Sequence, residues 1–233
     1  MFQMKTKLLL IALGGLFCVG ASAGVIGSFD VNGGDGGNVA VGLTTIDWYP
    51  AGGPTGALVV VSGGTGIFFG LGSTTGTITD LDSTSQPVGV PFSLADFLVV
   101  LGLPSWDWTA EFIFPGIYDA TECGLAAAVG QTCTPFPTSP FNLVNTAGGG
   151  STAGFSLRGT ATDGVDLYGF TANFTTQFGV PFQDYLPGIL QGTPAVSTWS
   201  GTVTVNDDIP EPATLFLMSA GLIGLGLIRR VLR

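Results

Sequence analysis

The 233-residue chain contains no histidine and only six lysines and arginines. Without an imidazole it has no His-based triad, no histidine metal ligand and no imidazole acid–base chemistry. Charged residues make up 9% against 45% apolar residues, so a charge-rich disordered chain is excluded. A long coiled coil, rich in Ala, Glu, Lys and Leu, is excluded as well. What is abundant is glycine, with 38 copies, and proline, with 14. Together they are almost twice as frequent as in an average protein, which points to many turns between short strands.

The two ends carry the clearest signals. Lys5 and Lys7 precede an apolar run from Leu8 to Val19, which ends at Ala21-Ser22-Ala23. A basic start, a 12-residue apolar core and a small-x-small site make a secretory signal peptide over residues 1–23, with cleavage after Ala23 leaving Gly24 first. The run is shorter than the ~20 residues that a membrane helix needs; an uncleaved anchor is the competing reading. Bulky Phe17 before Cys18 argues against a lipoprotein site.

At the other end, Ile209-Pro210-Glu211-Pro212 leads into Ala213–Ile228, sixteen residues without a charge, followed by Arg229-Arg230-Val231-Leu232-Arg233. As a helix this run spans ~24 Å, short for a ~30 Å hydrocarbon core but able to insert with local thinning. Basic residues just after an apolar segment hold that end in the cytoplasm, which puts the preceding chain outside and makes the run a single C-terminal transmembrane helix. The two prolines keep the segment before it extended.

This order of parts resembles the PEP-CTERM sorting signal of Gram-negative bacteria, with Pro210, Glu211 and Pro212 as the motif and Arg229, Arg230 and Arg233 as the basic tail. The resemblance covers residues 209–233, and Val231 and Leu232 interrupt its arginine cluster. It implies recognition by exosortase, a membrane cysteine transpeptidase of species that make exopolysaccharide. It also implies removal of the tail near Glu211 and a destination at the cell surface or beyond it, in association with exopolysaccharide or biofilm. An ordinary C-terminal anchor is the competing reading.

Residues 24–206 then form the extracytoplasmic domain, and 207–233 the sorting signal. Between Gly24 and Pro210 there are fifteen acids and a single base, Arg158, a formal charge of −14. Such a surface repels phosphate backbones, so nucleic acid is excluded as a partner. Cys123 and Cys133 form an even pair in an exported chain and predict a disulfide; a metal site there would lack histidine ligands.

The expected fold is mainly β, an antiparallel sandwich-like domain. Trp106–Phe114, Tyr168–Phe178 and Trp199–Val205 alternate with period two, one face aromatic or branched and the other richer in small and polar residues. Ala57–Val61 and Ile67–Leu71 read as further strands. Ser93 and Asp96 resemble a capping box for a helix over Leu94–Leu101, though Phe97–Leu101 also fits a buried strand. A short helical turn is expected over Gln183–Leu186, before Pro187. Gly89-Val90-Pro91-Phe92 recurs as Gly179-Val180-Pro181-Phe182, a weak repeat compatible with two similar halves.

Candidate chemistry is sparse. Asp30, Asn32 and Asp35 look like part of a Ca²⁺ loop, but the spacing is off by one and no Glu closes it, so a Gly/Asn turn is preferred. No cofactor is expected beyond that candidate structural Ca²⁺. Asp80/Asp82 and Asp163/Asp166 offer paired carboxylates for a cation or for glycoside hydrolysis. Trp48, Trp106, Trp108 and Trp199 fit core packing better than sugar stacking. The leading expectation is a non-enzymatic, exported surface or matrix protein. The alternatives are a surface carbohydrate-binding module or hydrolase, and a permanently anchored membrane protein.

Overall fold

The computed structural model describes residues 24–34, 37–49 and 53–207. The signal peptide with Ala21 and Ala23, the motif residues Pro210, Glu211 and Pro212, the apolar run, Arg229, Arg230 and Arg233, and Asp35 lie outside the described residues. Among the described residues no helix is long and apolar enough to cross a membrane.

The fold is mainly β and antiparallel. The strands are β1 (Val25–Gly33), β2 (Asn38–Val41), β3 (Thr45–Trp48), β4 (Thr55–Val60), β5 (Thr65–Gly66), β6 (Thr75–Thr79) and β7 (Leu81–Asp82). They continue as β8 (Leu98–Val100), β9 (Asp107–Ile113), β10 (Thr132–Cys133), β11 (Asn142–Asn145), β12 (Ser151–Thr162), β13 (Leu167–Phe178) and β14 (Ala195–Asp207). One α-helix, α1 (Phe182–Leu190), and a 3₁₀ turn at Ala120–Gly124 complete it.

The ladder β12–β13–β14–β1–β4–β6–β8 returns on itself, because β9 pairs with β12 on one side. On its other side β9 takes the stretch before β8: Leu94 and Ala110 exchange both backbone bonds, and Phe97 N–H donates to Trp108 C=O, all at 2.9 Å. Two long strands change partners along their length. β12 pairs with β11 through Ser151–Gly154 and with β9 through Leu157–Thr162; β14 pairs with β2 through Ala195–Thr198 and with β1 through Ser200–Asn206.

This brings facing walls over one aromatic interior. Trp48 of β3 meets Phe174 at 5.7 Å, Trp199 at 6.0 Å and Phe97 at 6.2 Å between ring centroids. Phe29, Phe68, Trp108 and Phe170 form a second set linked by edge-on contacts of 5.1–5.7 Å. Such geometry suits the ring quadrupoles. Gly201 makes room for it, since a Cβ there would stand 2.6 Å from the Phe174 ring. Trp48, Trp108 and Trp199 are buried, and Trp106 stacks between Trp108 and Tyr168.

Several local expectations change. Leu94–Leu101 is not helical: a turn at Ala95 and Asp96, where Asp96 has φ +53°, leads into β8 at Leu98–Val100, and a helix interior excludes that φ. Ile67–Leu71 is a chain of turns, with Phe68, Phe69 and Leu71 N–H bonding to the carbonyls three residues earlier. Gly64, Gly66 and Gly70 supply the positive φ values there. Helix α1 runs through Pro187 instead of stopping before it. One backbone bond is lost, while burial of Phe182, Leu186 and Ile189 on one face holds the helix. The two Gly-Val-Pro-Phe copies differ in setting, one bonding alongside β9 and the other entering α1.

The segment from Phe114 to Phe141 has little regular structure, and polar groups and a covalent bond hold it. Cys123 and Cys133 are disulfide-bonded, with Cα atoms 5.2 Å apart. Asn145 is buried between this segment and α1. Its Oδ1 accepts the Phe182 N–H at 3.0 Å, and its Nδ2 donates to Gln183 Oε1 at 2.9 Å and to Ala128 C=O at 3.3 Å. The side chain thereby serves a helix start that Pro181 leaves without a side-chain cap.

Candidate functional site

The carboxylates singled out from sequence sit in separate, structurally engaged places. Asp30 and Asn32 lie in the regular strand β1, on the face opposite buried Phe29 and Val31. Asp30 Oδ1 already accepts the Thr202 hydroxyl at 2.6 Å. A strand does not wrap a cation as a Ca²⁺ loop does. Among the described residues no group of three or more His, Cys, Asp or Glu converges as a metal cluster would.

Asp163 closes a turn: its Oδ1 accepts the N–H groups of Val165 at 2.9 Å and Asp166 at 2.8 Å, and these bonds lower its pKa. Asp82 likewise accepts from the hydroxyl and N–H of Thr84, both at 2.7 Å, and its pKa is lowered. Asp80 differs. Burial pushes its pKa up to about 6, the charge of Asp47 adds to the rise, and the Trp48 N–H, donating to Oδ1 at 2.9 Å, opposes it. These acids are used to shape turns and strand ends. The crevice beneath α1, lined by Val41, Phe136, Phe141, Leu143, Phe178 and Leu186 among others, has no carboxylate in its wall.

One surface feature was not visible in the sequence. The pairing of β9 with β12 matches Leu157 to Ile113, Arg158 to Phe112 and then Gly159 to Ala110. Glu111 is therefore an extra residue, and the bulge inverts the alternation beyond it. Ile113 turns into the core, while Phe112 is only partly buried and Phe114 is exposed. The Arg158 guanidinium then lies 5.0 Å from the Phe112 ring centroid and 5.9 Å from that of Phe114. Ser156 and Asn173 meet at 2.6 Å on the neighbouring strands, and the Thr160 hydroxyl donates to Glu111 at 2.9 Å. The single base between Gly24 and Pro210 thus sits on aromatic rings within a hydroxyl- and amide-bearing sheet face.

The comparisons with known proteins bear on the other end of the chain. No curated protein and no solved structure matches this one. The family model of the PEP-CTERM protein-sorting motif matches residues 208–230. It takes in Pro210, Glu211, Pro212, the uncharged run, Arg229 and Arg230, and implies export, a membrane-anchored precursor and exosortase processing. The chain carries a PEP-CTERM protein-sorting motif, the mark of an exported, exosortase-sorted protein.

Proposed function

We propose that the protein is a non-enzymatic component of the cell surface or extracellular matrix, delivered by its signal peptide and freed from its tail by exosortase. Residues 1–23 are the leader, 24–206 the working domain and 207–233 the label. The observation that carries this reading is the motif at 208–230. The engagement of the candidate acids in turns and strand ends supports a structural role over a hydrolytic one. Contact with exopolysaccharide is the second part of the reading. The face bearing Phe112, Phe114 and Arg158 has the aromatic surface and outward donors that sugar rings and hydroxyls bind, which also favours a carbohydrate-binding module as the alternative.

Cells with and without exosortase provide the test. Glu211→Ala is expected to leave a cell-associated form that retains the tail, as loss of exosortase does, whereas the parent protein is shortened and reaches the surface. Equal processing of variant and parent would overturn the sorting assignment. If the sorted protein with Arg158→Ala and Phe112→Ala stays with the exopolysaccharide as the parent does, the polysaccharide contact fails while the sorting role stands.

A further inference from the structure

Strand direction gathers a set of exposed apolar side chains at the end where the domain joins the rest of the chain. Val25 pairs with Asn206, and Tyr168 with Asp207, so the first and last residues of the domain leave side by side. Gly27 pairs with Gly66, and the Ile67 N–H donates to Ile26 C=O, which brings the 61–74 loop to the same end. Leu101 follows β8 beside Thr75, and the Asp163–Asp166 turn joins β12 to β13 there. At these positions Val165 is 87% exposed, Phe69 86%, Leu101 69% and Val25 64%. Apolar side chains gathered at one end of a domain mark a contact surface, whereas singly scattered ones need no explanation.

Exposure alone does not choose a partner, because Ile117, far from this end along β9, is 80% exposed too. The covalent path does. Only residues 208–212 separate the last strand residue, Asp207, from the first residue of the uncharged run, Ala213. Fully extended, they reach ~20 Å. In the membrane-anchored precursor this end of the domain is therefore tethered close to lipid. We infer that the tips bearing Phe69, Leu101 and Val165 rest in the interface of the bilayer.

The contact need not be strong. Each side chain inserts only in part, and a short tether supplies an effective concentration of order mM. Two or three tips then hold the domain while the tail is attached, and let go once it is cut. Asp163, Asp166, Asp107 and Asp207 stand at the same end. Their charge disfavours anionic headgroups, so the surface fits zwitterionic lipid.

The full chain reconstituted in vesicles of brominated phosphatidylcholine tests this. Phe69→Trp is expected to add emission that the bromines quench several-fold more strongly than the emission added by Ile117→Trp. Both positions are exposed, so both variants should keep the parent's melting temperature, and a variant that does not is replaced by Val165→Trp or Val129→Trp. Equal quenching at the two ends, or none at either, would overturn the inference. Stronger quenching in phosphatidylglycerol vesicles would overturn the preference for zwitterionic lipid.

Discussion

The aromatic barrel and the segment from Phe114 to Phe141 are held by different means. In the barrel, β12 and β13 pair over twelve residues each, and their inward faces bury Phe155, Leu157, Phe170 and Phe174. Long runs of ladder bonds, with every second side chain in the interior, hold this part without a covalent bond. Between Phe114 and Phe141 the regular structure is a five-residue 3₁₀ turn and the two-residue strand β10. There the Cys123–Cys133 bond and the hydrogen bonds around Asn145, Gln131 and Gln183 substitute for missing apolar surface. A chain poor in charge and rich in glycine uses burial where strands are long and a staple where they are short.

Substitution separates the two regimes. Trp48→Ala should be the most damaging change, costing about 4 kcal/mol by removing a side chain at the meeting of five aromatic rings. Chemical denaturation should show it as a fall in the midpoint of the whole domain. Cys123→Ala should cost about 3 kcal/mol in the chain-entropy account, and limited proteolysis should cut first between Phe114 and Phe141 while the barrel persists. Simultaneous loss of the barrel would show that the staple serves both regions. Thiol titration of the denatured, unreduced full chain should find one free thiol, Cys18.

Asp80 sharpens the comparison with the smallest effect, and one of opposite sign. Its pKa is raised from 3.8 to about 6 in the folded protein, so the ionised group opposes folding. That cost is absent below pH 4, grows as pH rises, and is complete above about pH 6. Asp80→Asn keeps an acceptor for the Trp48 N–H and should stabilise the domain at pH 7 by about 1 kcal/mol, a full shift discounted for solvent screening. At pH 4 parent and variant should melt alike. Asp82, Asp119 and Asp163, lowered by their bonds to Thr84, to Thr121 and to the Asp166 and Val165 N–H groups, respectively, act the other way and lose their contribution as pH falls.

The strands that could be read in advance were those with unbroken alternation. Phe170, Ala172, Phe174 and Thr176 in β13, and Trp199, Gly201, Val203 and Val205 in β14, all point inward as period two requires. The alternation through Trp108 and Ala110 fails at Phe112, because a bulge depends on the partner strand and leaves no mark on its own sequence. Leu94–Leu101 carried a local helical pattern that long-range pairing with β9 and β6 overrode. The sorting motif was legible because it is a linear signal read by another protein. The Arg158 face and the apolar tips at Val25, Phe69 and Val165 come from distant parts of the chain, and only the folded topology assembles them.

The attachment of the tail to β14 has a mechanical consequence. This strand is flanked over most of its length by β13 on one side and β1 on the other, and its hydrogen bonds run across the strand axis. A pull on the chain beyond Asp207 therefore loads both rows in shear at once instead of peeling them singly, so the domain bears traction through a strand anchored along both edges.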